Sequence, residues 1–130
     1  MIQIKNITTE LMVDDIGKSV DFYKNILGFE IIVCVPEKNP FFVILKNGPV
    51  ELMLYHRNQF AEEIPKFQDM PVAGSIALYI GVAEVEALYK NIKGKVKIIQ
   101  DLHTTDYGSV EFSCEDNSGY VLMFNERADK

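Results

Sequence analysis

The chain carries an internal echo. Tyr23-Lys-Asn-Ile-Leu-Gly28 returns sixty-six positions later as Tyr89-Lys-Asn-Ile-Lys-Gly94, and each copy runs into an apolar stretch, Glu30-Ile-Ile-Val33 and Lys97-Ile-Ile-Gln100. Further on, Asn47-Gly48 leads into Leu52-Met53-Leu54 and Asn117-Ser118-Gly119 into Leu122-Met123-Phe124, now offset by seventy. A period that drifts by a few residues is what unequal loops between equivalent elements produce. Two copies of a unit of roughly 60 residues are too few for a solenoid, which needs about three repeats to bury a continuous core. The expectation is one pseudo-symmetric domain over residues 1–130, with a cleft between or within its halves.

A chain of 130 residues can hold a real core, since a domain of that size buries roughly two-thirds of its unfolded surface. At 48% apolar and 25% charged residues the composition speaks against disorder, and no apolar run approaches the ~18–20 residues of a membrane span. Met1-Ile-Gln-Ile-Lys5 lacks the basic and long apolar regions of a signal peptide, so a soluble cytoplasmic protein with no membrane partner is expected. Cys34 and Cys114 lie eighty positions apart without CxxC or Cys/His clustering, which reads as two reduced strand cysteines and not a zinc site. The net charge of −6, with no Lys/Arg stripe, argues against a nucleic-acid partner and mildly favours cationic over anionic ligands.

Each half reads as a strand, a helix and three strands. Asn6 to Val13 is an extended segment, and Asp14 and Asp15 can cap a helix whose apolar stripe is Ile16, Val20, Tyr23 and Ile26-Leu27. Gly28 sits where a left-handed residue would end it. Strands follow over Phe29 to Val35, Phe41 to Lys46 and Val50 to Tyr55, the last two joined by a turn centred on Asn47-Gly48. The second half repeats this with a strand from Ser75 to Ile80, a helix through Val82, Val85, Leu88-Tyr89 and Ile92, and Gly94 as its stop. Strands over Val96 to Leu102, Ser109 to Cys114 and Tyr120 to Asn125 complete it. The fold class is therefore α+β, two tandem βαβββ modules of curled mixed sheet, at about residues 1–56 and 75–126. The link at about 57–74 carries Phe60, Phe67 and Met70, and reads equally as a lid or as an anchored linker.

Asp15-Ile-Gly-Lys-Ser-Val-Asp-Phe-Tyr23 followed by Leu27-Gly28-Phe29, together with Asp116-Asn-Ser-Gly-Tyr120, closely resembles the glyoxalase, bleomycin-resistance and extradiol-dioxygenase superfamily, the vicinal oxygen chelate proteins. The resemblance spans nearly the whole chain. It implies modules curled into half-open cups, commonly paired within or between subunits around a ligand cavity, and a homodimer. In metal-using members, four side chains point into the cavity, one from the first and one from the last strand of each module. They are usually His or Glu, because a divalent ion needs several fixed N/O donors with positions left open for substrate.

Carried over by the motifs, those four positions are Thr8, Glu51, Ser75 and Met123. Only Glu51 is a ligand-competent carboxylate. Neutral hydroxyls are weak donors, and a thioether is too soft for the hard ions of this chemistry. Glu10 shares a strand face with Thr8, His56 falls on the face opposite Glu51, and His103 has no role implied by the resemblance. The expectation is no metal and no cofactor, and a ligand pocket lined by Thr8, Glu51, Met53, Tyr55, Ser75, Tyr79 and Met123. A buried carboxylate without a partner costs several kcal/mol, so Glu51 reads as a group in use. The implied function is small-molecule sequestration of a hydrophobic or cationic compound such as an antibiotic, as in the metal-free bleomycin-resistance branch. The alternatives are a divalent-metal lyase, isomerase or dioxygenase of the same superfamily, and a catalytically silent scaffold or regulatory domain.

Overall fold

The computed structural model describes residues 1–127, which form two compact units, Met1–Val72 and Ala73 onward. In the first unit, β1 (Thr9–Val13), α1 (Ile16–Asp21), β2 (Glu30–Val35), β3 (Phe42–Asn47), β4 (Val50–His56) and α2 (Arg57–Glu63) follow in order. The sheet order is β1-β4-β3-β2, with β1 parallel to β4 and the other pairs antiparallel. The second unit repeats the plan with β5 (Ala77–Gly81), α3 (Val85–Ile92), β6 (Lys97–Thr104), β7 (Ser109–Glu115) and β8 (Val121–Arg127), in the order β5-β8-β7-β6 with β5 parallel to β8. The echo in the sequence is thus a repeated βαβββ topology of two four-stranded mixed sheets. None of the helices among the described residues is long and apolar enough to cross a membrane.

Each sheet gathers its apolar core on one face. Leu52 and Leu54 of β4, Leu11 and Val13 of β1, and Val43 and Leu45 of β3 are buried, along with Ile16, Phe22 and Tyr23 from the α1 region. In the second unit Phe112, Cys114, Leu122 and Phe124 share that face, with Val85 and Ile92 of α3 buried too and the Tyr89 ring edge-on to Phe112 at 5.0 Å. Side chains of opposite parity on the same strands project to the other face, where the candidate site residues lie.

Local chemistry explains the punctuation. Asp15 caps α1 by accepting from the Lys18 amide at 3.0 Å, whereas Asp14 pairs with Arg57 instead of capping. The expected single helix to Leu27 becomes α1 followed by a turn of π-helix over Phe22–Ile26. It closes as foreseen: Gly28 takes φ +76°, Phe29 N donates to Tyr23 O at 3.0 Å, and the Asn47 amide donates to Leu27 O at 3.0 Å. Gly94 does not repeat this, having no positive φ; α3 ends instead through a tight bond from Lys95 N to Ile92 O at 2.8 Å. The Asp116-Asn-Ser-Gly-Tyr120 motif is a turn held by its first residue, whose Oδ1 accepts from Ser118 N at 2.8 Å and Tyr120 N at 2.9 Å. β1 starts at Thr9, not Asn6, and β5 at Ala77, not Ser75, so Thr8 and Ser75 precede their strands.

Candidate functional site

In the first unit the non-core face of β4 presents Glu51, Met53 and Tyr55, and register with β1 sets Glu10 beside Met53 and Met12 beside Tyr55. Thr8 lies one residue before β1, outside this register. From β3, Phe42, Ile44 and Lys46 lie opposite Tyr55, Met53 and Glu51. Three of the expected site residues, Glu51, Met53 and Tyr55, therefore share one sheet face, and it is largely apolar and aromatic. His56 points to the other side, as alternation requires, and its Nδ1 accepts from Asn58 N at 3.2 Å to cap α2.

The segment after β4 is neither a bare linker nor a free loop. Residues 57–63 form α2, and Phe60, only 5% exposed, stacks on Tyr55 at 5.1 Å and on Phe67 at 4.6 Å. With Phe41 stacked on Tyr55 at 6.3 Å, four rings make one column on the site face. Arg57 adds a second tether through Asp14 and through Met70 O at 3.1 Å. Of the three anchors foreseen, Phe60 and Phe67 hold; Met70 is exposed.

Charge on this face is concentrated near that column. Tyr55 donates to Glu63 Oε1 at 2.8 Å, and this bond, with burial and the surrounding carboxylates, raises the phenol above its ordinary range. Half-burial, reinforced by the Glu63 charge, likewise raises the Glu10 carboxyl. Glu51, by contrast, is exposed and sits across the ladder from Lys46, so the sequence expectation of an unpartnered buried carboxylate is corrected. Alternation identified its face, but its depth depended on β4 entering the sheet only at Val50.

In the second unit Tyr79 and Met123 are register partners on the non-core face, and Ser75, exposed, lies on the same parity two residues before β5. Here the neighbours are polar and buried. Ser109, Glu111 and Ser113 of β7 and Asn125 of β8 are each at least 94% removed from solvent. Glu111, 4% exposed, accepts on one oxygen, Oε2, from both the Tyr79 hydroxyl and, at 3.0 Å, the Tyr107 hydroxyl. Burial alone would push its carboxyl up. The phenol bonds, the Ser109 hydroxyl and the His103 charge outweigh that and bring it below the ordinary carboxylate value. His103 faces Glu111 in register, with Nδ1 2.7 Å from Asp101 O; a carbonyl only accepts, so Nδ1 carries the proton.

Sequence reasoning missed Glu111, Ser109 and Asn125. Ser109-Val-Glu-Phe-Ser-Cys114 alternates perfectly, and a polar parity reads by default as the solvent side. An open groove of about 790 Å³ lies beside this cluster, bordered by Tyr79, Gly81, Asn125 and Arg127 among others.

The four positions corresponding to the chelating set do not fit a divalent ion: one exposed carboxylate, two hydroxyls and a thioether supply neither the charge nor the hard donors required. Among the described residues, no group of three His, Cys, Asp or Glu side chains converges elsewhere at ligating geometry.

The chain belongs to the glyoxalase/bleomycin resistance protein/dioxygenase superfamily, whose family model matches residues 4–124. A crystal structure of a glyoxalase/bleomycin resistance protein/dioxygenase from Nocardioides has TM-score 0.80 at 15% identity, covering 98% of this chain and 86% of that one. A protein of unknown function from Agrobacterium tumefaciens gives 0.78 at 23% identity over 97% and 96%. A lactoylglutathione lyase from the same organism gives 0.72 at 20% over 94% and 92%. At such identities these similarities establish the fold alone. No curated protein matches the chain.

Proposed function

We propose that this protein is a metal-free small-molecule binder that sequesters a hydrophobic or cationic compound, such as an antibiotic, in the manner of the bleomycin-resistance branch. The observation that carries the reading is the substitution pattern at the chelating positions. Thr8, Ser75 and Met123 replace nitrogen or carboxylate donors, while the non-core face of the first unit keeps Met53, Tyr55, Phe42 and Ile44. A face of thioether, aromatic and aliphatic groups with a few polar ones is the usual lining of a small-molecule site. Glu10, Glu51 and Glu63 supply negative charge beside it, which suits a cation flanked by aromatic rings. On this reading Thr8, Glu51, Met53 and Tyr55 of the first unit, and Ser75, Tyr79 and Met123 of the second, contact ligand, each set on its own unit, and the working form is a cytoplasmic homodimer.

The test is thermal denaturation against a panel of cationic antibiotics and planar aromatics. A true ligand at a hundredfold excess over Kd raises stability by about 2.7 kcal/mol. Glu51→Gln is expected to weaken a cationic ligand and leave a neutral one nearly unchanged. Equal loss for both would remove the carboxylate from recognition, and no response across a broad panel would favour a silent scaffold.

A further inference from the structure

We propose that Met1–Ile7 is a dimerisation arm, an extended apolar segment that pairs antiparallel with the same segment of a second copy and with the start of its β1. This rests on the homodimer of the reading above and deepens it by naming the residues that join the two copies.

The arm outruns its own sheet. The ladder between β1 and β4 begins at Thr9↔Leu52, and β4 itself begins at Val50. Before Leu52, β4 therefore has only Val50 and Glu51 to offer, while eight residues of chain precede Thr9. Residues 1–8 belong to no helix or strand. Met1, Ile2, Ile4 and Ile7 are 123%, 90%, 76% and 88% exposed, as bare as in an unfolded chain.

Composition suits the segment to pairing and not to solvent. Met1-Ile-Gln-Ile-Lys-Asn-Ile7 has three β-branched residues, one charged side chain and neither Gly nor Pro. In an extended chain Ile2 and Ile4 share one face and Ile7 takes the other, so neither face is a polar one to turn to water. Short segments of this kind pair with another chain unless Pro, bulges or several charges block them. Here Lys5 is the single charged guard.

The partner that fits is a second copy. A twofold axis pairs two equivalent strands antiparallel, so one operation covers both arms at once. β1 is an edge strand of its sheet, and at its start Thr9 and Glu10 are only half-buried, so the pairing can continue from the arm into β1. Charge fixes the direction: antiparallel pairing carries Lys5 of each arm towards Glu10 of the other copy, whereas parallel pairing would set Lys5 against Lys5. By the scaling for unfolded chains, an extended arm of this length exposes on the order of 1,200 Å². Burying about half of each of two arms removes about 1,200 Å² before the surface they cover is counted, which reaches the range of stable interfaces, about 1,200–2,000 Å².

The experiment combines sedimentation velocity with amide hydrogen exchange on the full chain. A dimer is expected at about 50 µM, dissociating on dilution. In the dimer the amides of residues 2–7 should exchange at least roughly a hundredfold slower than in an unstructured peptide, and this protection should be lost in the monomer. Ile2→Asp/Ile4→Asp should give a monomer with unchanged far-ultraviolet circular dichroism, since both side chains are exposed in the single copy. Should that variant not fold, the exchange of the parent decides. A dimer whose arm amides exchange freely, or one that survives the double substitution, overturns the arm while the homodimer stands. Protection of the arm in a monomer would place its partner within the chain and also overturns the proposal. A parent that is monomeric at every concentration overturns arm and homodimer together; sequestration is read separately, from the thermal panel.

Discussion

Replacing Phe60 by Ala removes the ring that fastens α2 to the site face of the first sheet. The side chain is 5% exposed and stacked between Tyr55 and Phe67 at 5.1 and 4.6 Å. Truncating such a Phe costs about 3–5 kcal/mol, a figure that already contains the stacking contribution of roughly 0.5–1.5 kcal/mol per aromatic pair. The segment is also tethered by the Arg57 bonds to Asp14 and Met70 and the Tyr55 bond to Glu63, all at exposed positions. Exposed ion pairs contribute about 0–1 kcal/mol, too little to hold the helix once the ring is gone. The loss should therefore surface as local opening of residues 57–67 and not as an equal loss of global stability. A local change of about 3–4 kcal/mol corresponds to amide exchange roughly 10²–10³ faster there, measurable by hydrogen exchange with mass spectrometry alongside urea unfolding. Phe60→Leu, which keeps most of the apolar volume, should cost about 1.5 kcal/mol or less. Exchange over 57–67 that stays within threefold of the parent, or a loss spread evenly over the chain, would refute the idea that one ring fastens this cover.

Asp116→Ala should destabilise the chain by about 2–4 kcal/mol in urea unfolding, because it strips two amides of a charged acceptor at a buried turn; Asp116→Asn, which keeps an acceptor oxygen, should cost less than half as much. Burial first, then the Asp116 and Glu115 charges, push the Cys114 thiol up to about 11, so at pH 8 only about one molecule in a thousand carries the thiolate. In a thiol-reagent assay of the folded protein Cys34, which is half-buried, should react first and Cys114 only on unfolding; equal rates would contradict this. Glu10 has its folded pKa raised above the ordinary 4.5, so its contribution to stability is fully present below that value and is lost as pH rises through the folded pKa. Glu10→Gln should then be the more stable protein at neutral pH by thermal denaturation, with the difference vanishing below about pH 4.5; a constant gap at all pH values would rule out this titration.

What could be read from the residues alone was whatever local chemistry enforces. Gly28 and the Asp116 turn are positions where a left-handed residue or a carboxylate acceptor is needed within a few residues, and both act as their types imply. Alternation likewise puts His56 on the face opposite Glu51. The misses are tertiary. Gly94 has the same local context as Gly28, yet it takes no positive φ and the chain leaves by a different turn, with Lys95 N donating to Ile92 O. Arg57–Glu63 lacks an apolar stripe, so its helix rests on the His56 cap and the single ring of Phe60. Glu111 went unnoticed because a period of two separates faces without saying which one water reaches.

The central claim is that this receptacle works without a Lewis acid. Calorimetric titration of a panel ligand before and after exhaustive chelation tests it most directly. The account predicts a Kd unchanged within twofold. Binding that disappears on chelation and returns with stoichiometric Ni, Zn, Fe or Mn would contradict it.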